Sequence, residues 1–198
     1  MNEFYIWFST GFTHILDLNG YDHILYVMVL CVMFSYKEWK QLLTLITAFT
    51  IGHSLTLAAS VFNVIHLKQG IIEVIIPLTI LITCVLNMLS LKKDNLKVKS
   101  INYGLALIFG FVHGMGFSYL LKSLLARQES VFLPLISFNF GLEIGQLVIV
   151  MGMVILSFFL FTFTRLKNKY WVLFISAFVF CSALFIFIQR LISFYHES

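Results

Sequence analysis

Four apolar stretches of this chain are interrupted by ionisable side chains of the kinds that bind metal ions or move protons. Asn19-Gly20-Tyr21-Asp22-His23-Ile24-Leu25-Tyr26 sets a carboxylate beside an imidazole at the mouth of a long apolar run. Gly52-His53-Ser54, His113-Gly114 and Glu143-Ile144-Gly145-Gln146 break later runs in the same way. A charge at the centre of a bilayer costs about 2.5–3.5 kcal/mol even on a lenient scale, so a site is the default reading where such groups persist. Neutral imidazole next to carboxylate suits zinc, nickel, copper or iron, and a bound divalent ion would offset the desolvation. Plainer readings stand beside this one. A lone buried histidine is often a hydrogen-bonded packing residue, and a protonated Glu143 needs no ion. Ser54 reads as back-bonded to its own helix rather than as a nucleophile.

The groups need a scaffold, and composition names its solvent. Of 198 residues, 60% are hydrophobic and 11% charged, with a mean hydropathy of +0.96. A soluble domain carries about a quarter charged residues. So little charge cannot cover a water-facing surface, and an integral membrane protein is expected. Cys31, Cys84 and Cys181 sit in apolar sequence with no CxxC pair, which suggests neither a disulfide framework nor a thiolate zinc site. The seven methionines are dispersed, and the 22 phenylalanines read as packing and lipid-facing mass. The first 20 residues contain Glu3 and Asp17 and lack a basic start and a small-residue cleavage motif, so they are not read as a secretory signal.

A crossing takes about 20 mostly apolar residues. Six candidates follow, at about 21–36, 42–62, 70–91, 101–121, 137–163 and 171–193. Residues 1–18 are aromatic and amphipathic, with Phe4, Trp7, Phe8, Phe12 and Ile15 at helical spacing, and predict a helix lying in the membrane interface. The expected fold is therefore all-α: one polytopic membrane domain over 1–198, with six transmembrane helices and an N-terminal interfacial helix. Pro134 marks residues before 137 as a separate interfacial piece. Gly110-xxx-Gly114 and Gly141-xxx-Gly145 predict close helix approach in the fourth and fifth spans.

Of the 13 basic residues, nine follow spans one, three and five: Lys37, Lys40, Lys92, Lys93, Lys97, Lys99, Arg165, Lys167 and Lys169. Four lie toward the other face: Lys68, Lys122, Arg127 and Arg190. The positive-inside rule puts the nine in the cytoplasm and both termini outside, periplasmic in a Gram-negative bacterium. The basic excess is a topology signal, with no nucleic-acid footprint.

Depth can then be estimated from the helix rise. His53 lies about 13 Å, His113 about 12 Å and Glu143 about 9 Å below the outer ends of their spans, with Asp22 and His23 within about 3–6 Å of theirs. The polar groups thus fall in one outer-leaflet layer. Asn139, Glu143 and Gln146 share a stripe at i, i+4 and i+7, read as an inward polar face. The predicted metal set is Asp22, His23, His53, His113 and Glu143, with His14, Ser54, Asn139 and Gln146 as weaker candidates. His66 and His196 read as ordinary loop residues, and Glu73 as facing water. In the inner half few polar groups continue a path, Asn87 among them.

Four motifs in order carry a resemblance. Gly11-Phe12-Thr13-His14-Ile15 with Gly20-Tyr21-Asp22-His23-Ile24-Leu25 is similar to the N-terminal signature of the HupE/UreJ family. Thr47-Ala48-Phe49-Thr50-Ile51-Gly52-His53-Ser54-Leu55-Thr56-Leu57, Phe109-Gly110-Phe111-Val112-His113-Gly114-Met115-Gly116-Phe117 and Phe138-Asn139-Phe140-Gly141-Leu142-Glu143-Ile144-Gly145-Gln146 are similar to its later motifs. In the hydrogenase- and urease-linked group, a His-Pro lies four residues before the glycine. Here no proline follows His14 and the gap is two residues longer, so the chain resembles the family's second branch. The resemblance implies a bacterial inner-membrane protein tied to metal supply, a nickel permease or accessory protein with metalloenzyme maturation partners. Asp22 and His23 would capture a divalent ion, nickel or zinc, His53 and His113 would bind it, and Glu143 would balance charge. The alternative is an intramembrane metal-dependent hydrolase or acyl-transfer enzyme. His23, His53 and His113 would then hold the metal, Asp22 or Glu143 would act as base, and Ser54 would polarise the substrate. An enzyme ranks below transport, and an accessory subunit whose polar cluster only fixes packing is the third reading.

Overall fold

The computed structural model describes residues 2–18, 20–65, 68–91, 95–125 and 130–197. Asn19, His66, Lys92, Lys93 and Arg127 lie outside the described residues, as do the side chains of Lys97 and Lys99. All regular structure among the described residues is helical: α1 (Glu3–Ile15), α2 (Asp22–Cys31), a 3-10 turn (Tyr36–Glu38), α3 (Trp39–Val61), α4 (Gln69–Ser90), α5 (Asn95–Leu125), α6 (Phe132–Phe163) and α7 (Asn168–Glu197). Five of these, α3 to α7, are long and apolar enough to cross a membrane.

The expected first span is different in kind. Its helix has ten residues, about 15 Å of rise, or half the hydrocarbon thickness. The expected interfacial helix also differs, because α1 beds lengthwise on α6. A Cβ on Gly11 would collide with the Phe138 carbonyl, and one on Gly141 with the Phe8 carbonyl, while Gly145 faces Phe12 and Ile15. The two helices advance together, so α1 runs in the direction of α6. Farther along, Asn87 Nδ2 donates to the Val29 carbonyl at 2.7 Å and Ser90 meets the Met33 sulfur at 3.6 Å, so α2 runs in the direction of α4. Placed end to end, α1 and α2 would rise about 35 Å, the length of one crossing with a break in the middle. The break carries Asp17 and Gly20.

Local chemistry sets the ends. Asn2 accepts from the Phe4 amide at 3.3 Å and caps α1. Glu38 accepts from the Ser35 amide at 2.8 Å in a capping box before α3. Asn63 takes the left-handed conformation (φ 60°) that stops α3. Pro134 opens no separate piece, since α6 begins at Phe132 and its first turn accommodates the ring.

Glycines fix the neighbours. A Cβ on Gly52 would strike the Leu107 carbonyl, one on Gly110 the Phe49 carbonyl, and one on Gly114 the His53 carbonyl. α3 and α5 therefore run in parallel at backbone contact. The small-residue pairs do allow close approach, of α5 to α3 and of α6 to α1. The α7 end returns to the start of α4 through Arg190–Glu73 at 2.9 Å and Phe194 against Gly70. Both chain termini consequently lie at one end of the bundle. Lys37, Lys40, Arg165, Lys167 and Lys169 lie at the other, called the basic end below.

Candidate metal centre

Four histidines from four helices meet where the first crossing breaks. His14 stands in the last turn of α1, His23 in the first turn of α2, His53 in mid-α3 and His113 in α5. One nitrogen from each of His14, His23 and His53 lies within 4.8 Å of the others. The His113 ring centroid is 5.2 Å from that of His23, and the His14 and His23 centroids are 4.7 Å apart. Two nitrogens on one zinc-like ion lie about 3.3 Å apart, given bonds of about 2.0–2.1 Å, so His14, His23 and His53 are the nearest to ligand spacing and His113 stands beside that group.

Hydrogen bonds fix which nitrogen faces inward. Asp22 Oδ1 accepts from the His23 amide at 2.8 Å and sits 3.0 Å from His23 Nδ1. With that proton held toward the carboxylate, the Nε2 lone pair is left for the cluster. His113 Nδ1 lies 2.9 Å from the Phe109 carbonyl. A carbonyl can only accept, so Nδ1 carries the proton and Nε2 the lone pair. The Nε2 atoms of His14, His23, His53 and His113, and Nδ1 of His53, are buried with no hydrogen-bond partner among the described residues. Buried polar atoms are nearly always paired. A bound cation would satisfy one such nitrogen on each ring.

Aromatic rings wall the cluster. Phe117 lies against His14 at 3.9 Å and Tyr26 stacks on His113 at 5.0 Å between ring centroids. Phe49 and Phe109 close the layer beneath. A cavity of about 260 Å³ reaches the cluster from the break, bordered by His14, Asp22, His23, His113 and the Glu73–Arg190 pair. Glu73 is thus ion-paired in the cavity wall and remains partly exposed.

The other sequence candidates go elsewhere. Glu143 accepts from Thr47 at 3.1 Å, Gln146 Oε1 from Thr50 at 2.8 Å and Asn139 Oδ1 from Ser54 at 2.7 Å. Thr47 lies six residues from His53, about 9 Å farther along α3 and a third of a turn away. Glu143 is therefore not brought to the cluster. The stripe Asn139, Glu143, Gln146 instead forms a ladder joining α6 to α3. Ser54 is back-bonded to the Thr50 carbonyl at 2.6 Å. His196 is exposed in the last turn of α7. His14, ranked among the weaker candidates, belongs to the tightest group. Its spacing from the glycine departs from the motif, and only the broken crossing explains how it reaches His23. Tyr26 and Phe117 had no signal beyond helical spacing, i+3 from His23 and i+4 from His113.

The fold and the site together define a polytopic α-helical membrane protein with a buried histidine cluster. A family described as HupE / UreJ protein matches residues 1–190. The chain belongs to the HupE/UreJ family. No curated protein and no solved structure matches it.

Proposed function

We propose that this protein takes a divalent metal ion of the nickel or zinc class into the cluster of His14, His23, His53 and His113 and delivers it across the membrane, as a permease or metal-supply protein. The observation that carries this is the convergence of four unpaired, buried Nε2 atoms from four helices. Asp22 acts behind His23, orienting the ring and balancing part of the ion's charge. The family's association with metal supply to metalloenzymes supports the same reading. By the positive-inside rule the basic end is cytoplasmic, so the cavity beside Asp22 receives the ion from outside. The bundle lies in the bacterial inner membrane, and the ion's recipient is a metalloenzyme maturation factor.

The one-sided cavity favours a second reading, in which the cluster activates a water for hydrolysis at the membrane. Metal analysis of purified protein, followed by uptake of nickel or zinc into proteoliposomes, separates the two. One ion per chain with uptake that His53→Ala abolishes supports transport. Bound metal with no flux leaves the hydrolase, and absence of stoichiometric metal after loading removes both.

A further inference from the structure

A second buried polar layer lies deeper, toward the basic end. Asn87, Asn102 and Ser176 are each fully buried (0% exposed). Asn87 Oδ1, both amide atoms of Asn102 and the Ser176 hydroxyl have no hydrogen-bond partner among the described residues. The helix registers place these three at a similar level of the bundle. α4 meets α7 at Glu73–Arg190 and α5 at Gly116 against Ile72 and Ile76. Fourteen residues is close to four turns, so one such step returns each helix to nearly the same face about 21 Å on. Glu73 steps to Asn87, Arg190 back to Ser176, Gly116 back to Asn102, and Ile76 to Ser90. Each step moves toward the basic end.

The chemistry of this layer is specific. Asn87 Nδ2 is committed to the Val29 carbonyl at 2.7 Å, which fixes its amide and leaves Oδ1 as an acceptor. Ser90 gives its proton to the Asn87 carbonyl at 2.6 Å and keeps its lone pairs. The unpaired groups are the side-chain carbonyl oxygens of Asn87 and Asn102 and the Ser176 hydroxyl, with the Asn102 amide beside them. Val29 lies two residues before the end of the short α2, whose terminal carbonyls form the negative end of a half-helix inside the bundle. Neutral oxygens with a helix C-terminus suit a hard cation, and without a carboxylate they suit a single positive charge better than two.

We propose that Asn87, Asn102 and Ser176 form a binding site for a small monovalent cation of the sodium class. Its role as the driving ion for metal movement rests on the transport reading, while the binding itself does not. The test uses the full-length purified protein in detergent, its thermal midpoint compared in sodium chloride and in choline chloride at equal ionic strength. Sodium at ten times its dissociation constant raises the midpoint by about 3–5 °C for a chain of this size. Asn102→Leu removes only unpaired polar atoms, so it folds, has an unchanged or higher midpoint in choline, and loses the sodium shift. Ser176→Ala, a smaller change, weakens the shift and serves where Asn102→Leu yields no folded protein. Equal wild-type midpoints in sodium and choline overturn the proposal, leaving a layer filled by water. So does a sodium shift kept in both variants. A sodium shift in protein that binds no nickel or zinc removes the metal-transport reading and leaves this site standing.

Discussion

The histidine cluster and the α3–α6 ladder are polar features that share one stretch of α3, and they behave as opposites. In the ladder each hydroxyl of α3 finds an acceptor on α6, Thr47 with Glu143, Thr50 with Gln146, Ser54 with Asn139, and the Gln146 amide nitrogen alone is left without a partner among the described residues. In the cluster five imidazole nitrogens find none. A polar group surrounded by hydrocarbon that is paired glues helices together. One left unpaired on every side marks a place for something the chain does not supply. The difference assigns Glu143 to architecture and His14 to chemistry, although the motifs flag Glu143 the more strongly.

The largest effect that can break this comparison comes from the backbone contact beneath it. Gly114→Leu forces a side chain into the His53 carbonyl and Thr56, so folded protein is lost or destabilised by about 3 kcal/mol or more, measured by thermal scan and size-exclusion yield. His53→Ala comes next: the chain folds but its affinity for nickel or zinc falls roughly 100-fold or more, read by metal analysis and competitive titration. Asp22→Asn keeps the ligand nitrogen and loses the charge behind it, and the same titration is expected to show a drop of about 10–100-fold. Glu143→Gln is the control. It leaves metal stoichiometry unchanged and costs less than about 1 kcal/mol of stability. Should Glu143→Gln empty the cluster while His53→Ala does not, the comparison is inverted and the ladder is the site. The smallest effect belongs to Asn139→Leu, about 0.6 kcal/mol from one interhelical bond and no change in bound metal.

The sequence carried the long spans, because hydropathy over 20 residues is decided by solvent alone. It also carried the shared level of His53 and His113, because rise per residue is nearly constant. Depth does not fix angle. Glu143 is expected in the same layer but meets Thr47, about 9 Å from His53 along α3, and nothing local in the stripe Asn139, Glu143, Gln146 says which neighbour it will face. The first crossing was illegible for a related reason. Gly11, His14 and Asp17 make residues 2–18 too polar to span, and Asp22–Cys31 is too short. Each judgement holds for the half, while the whole crosses by resting on α6 and α4. Asn102 and Ser176 left no trace in any motif, since a single amide or hydroxyl in an apolar run is unremarkable until its helices are assembled.

The glycine seam between α3 and α5 has a mechanical consequence. Gly52, Gly110 and Gly114 bring two backbones to contact, with no flexible side chains between them to stretch or slide. His53 and His113 are thereby mounted on a single stiff beam. Relative movement within the cluster is therefore left to His14 and His23, which are carried by two separate helices, α1 and α2.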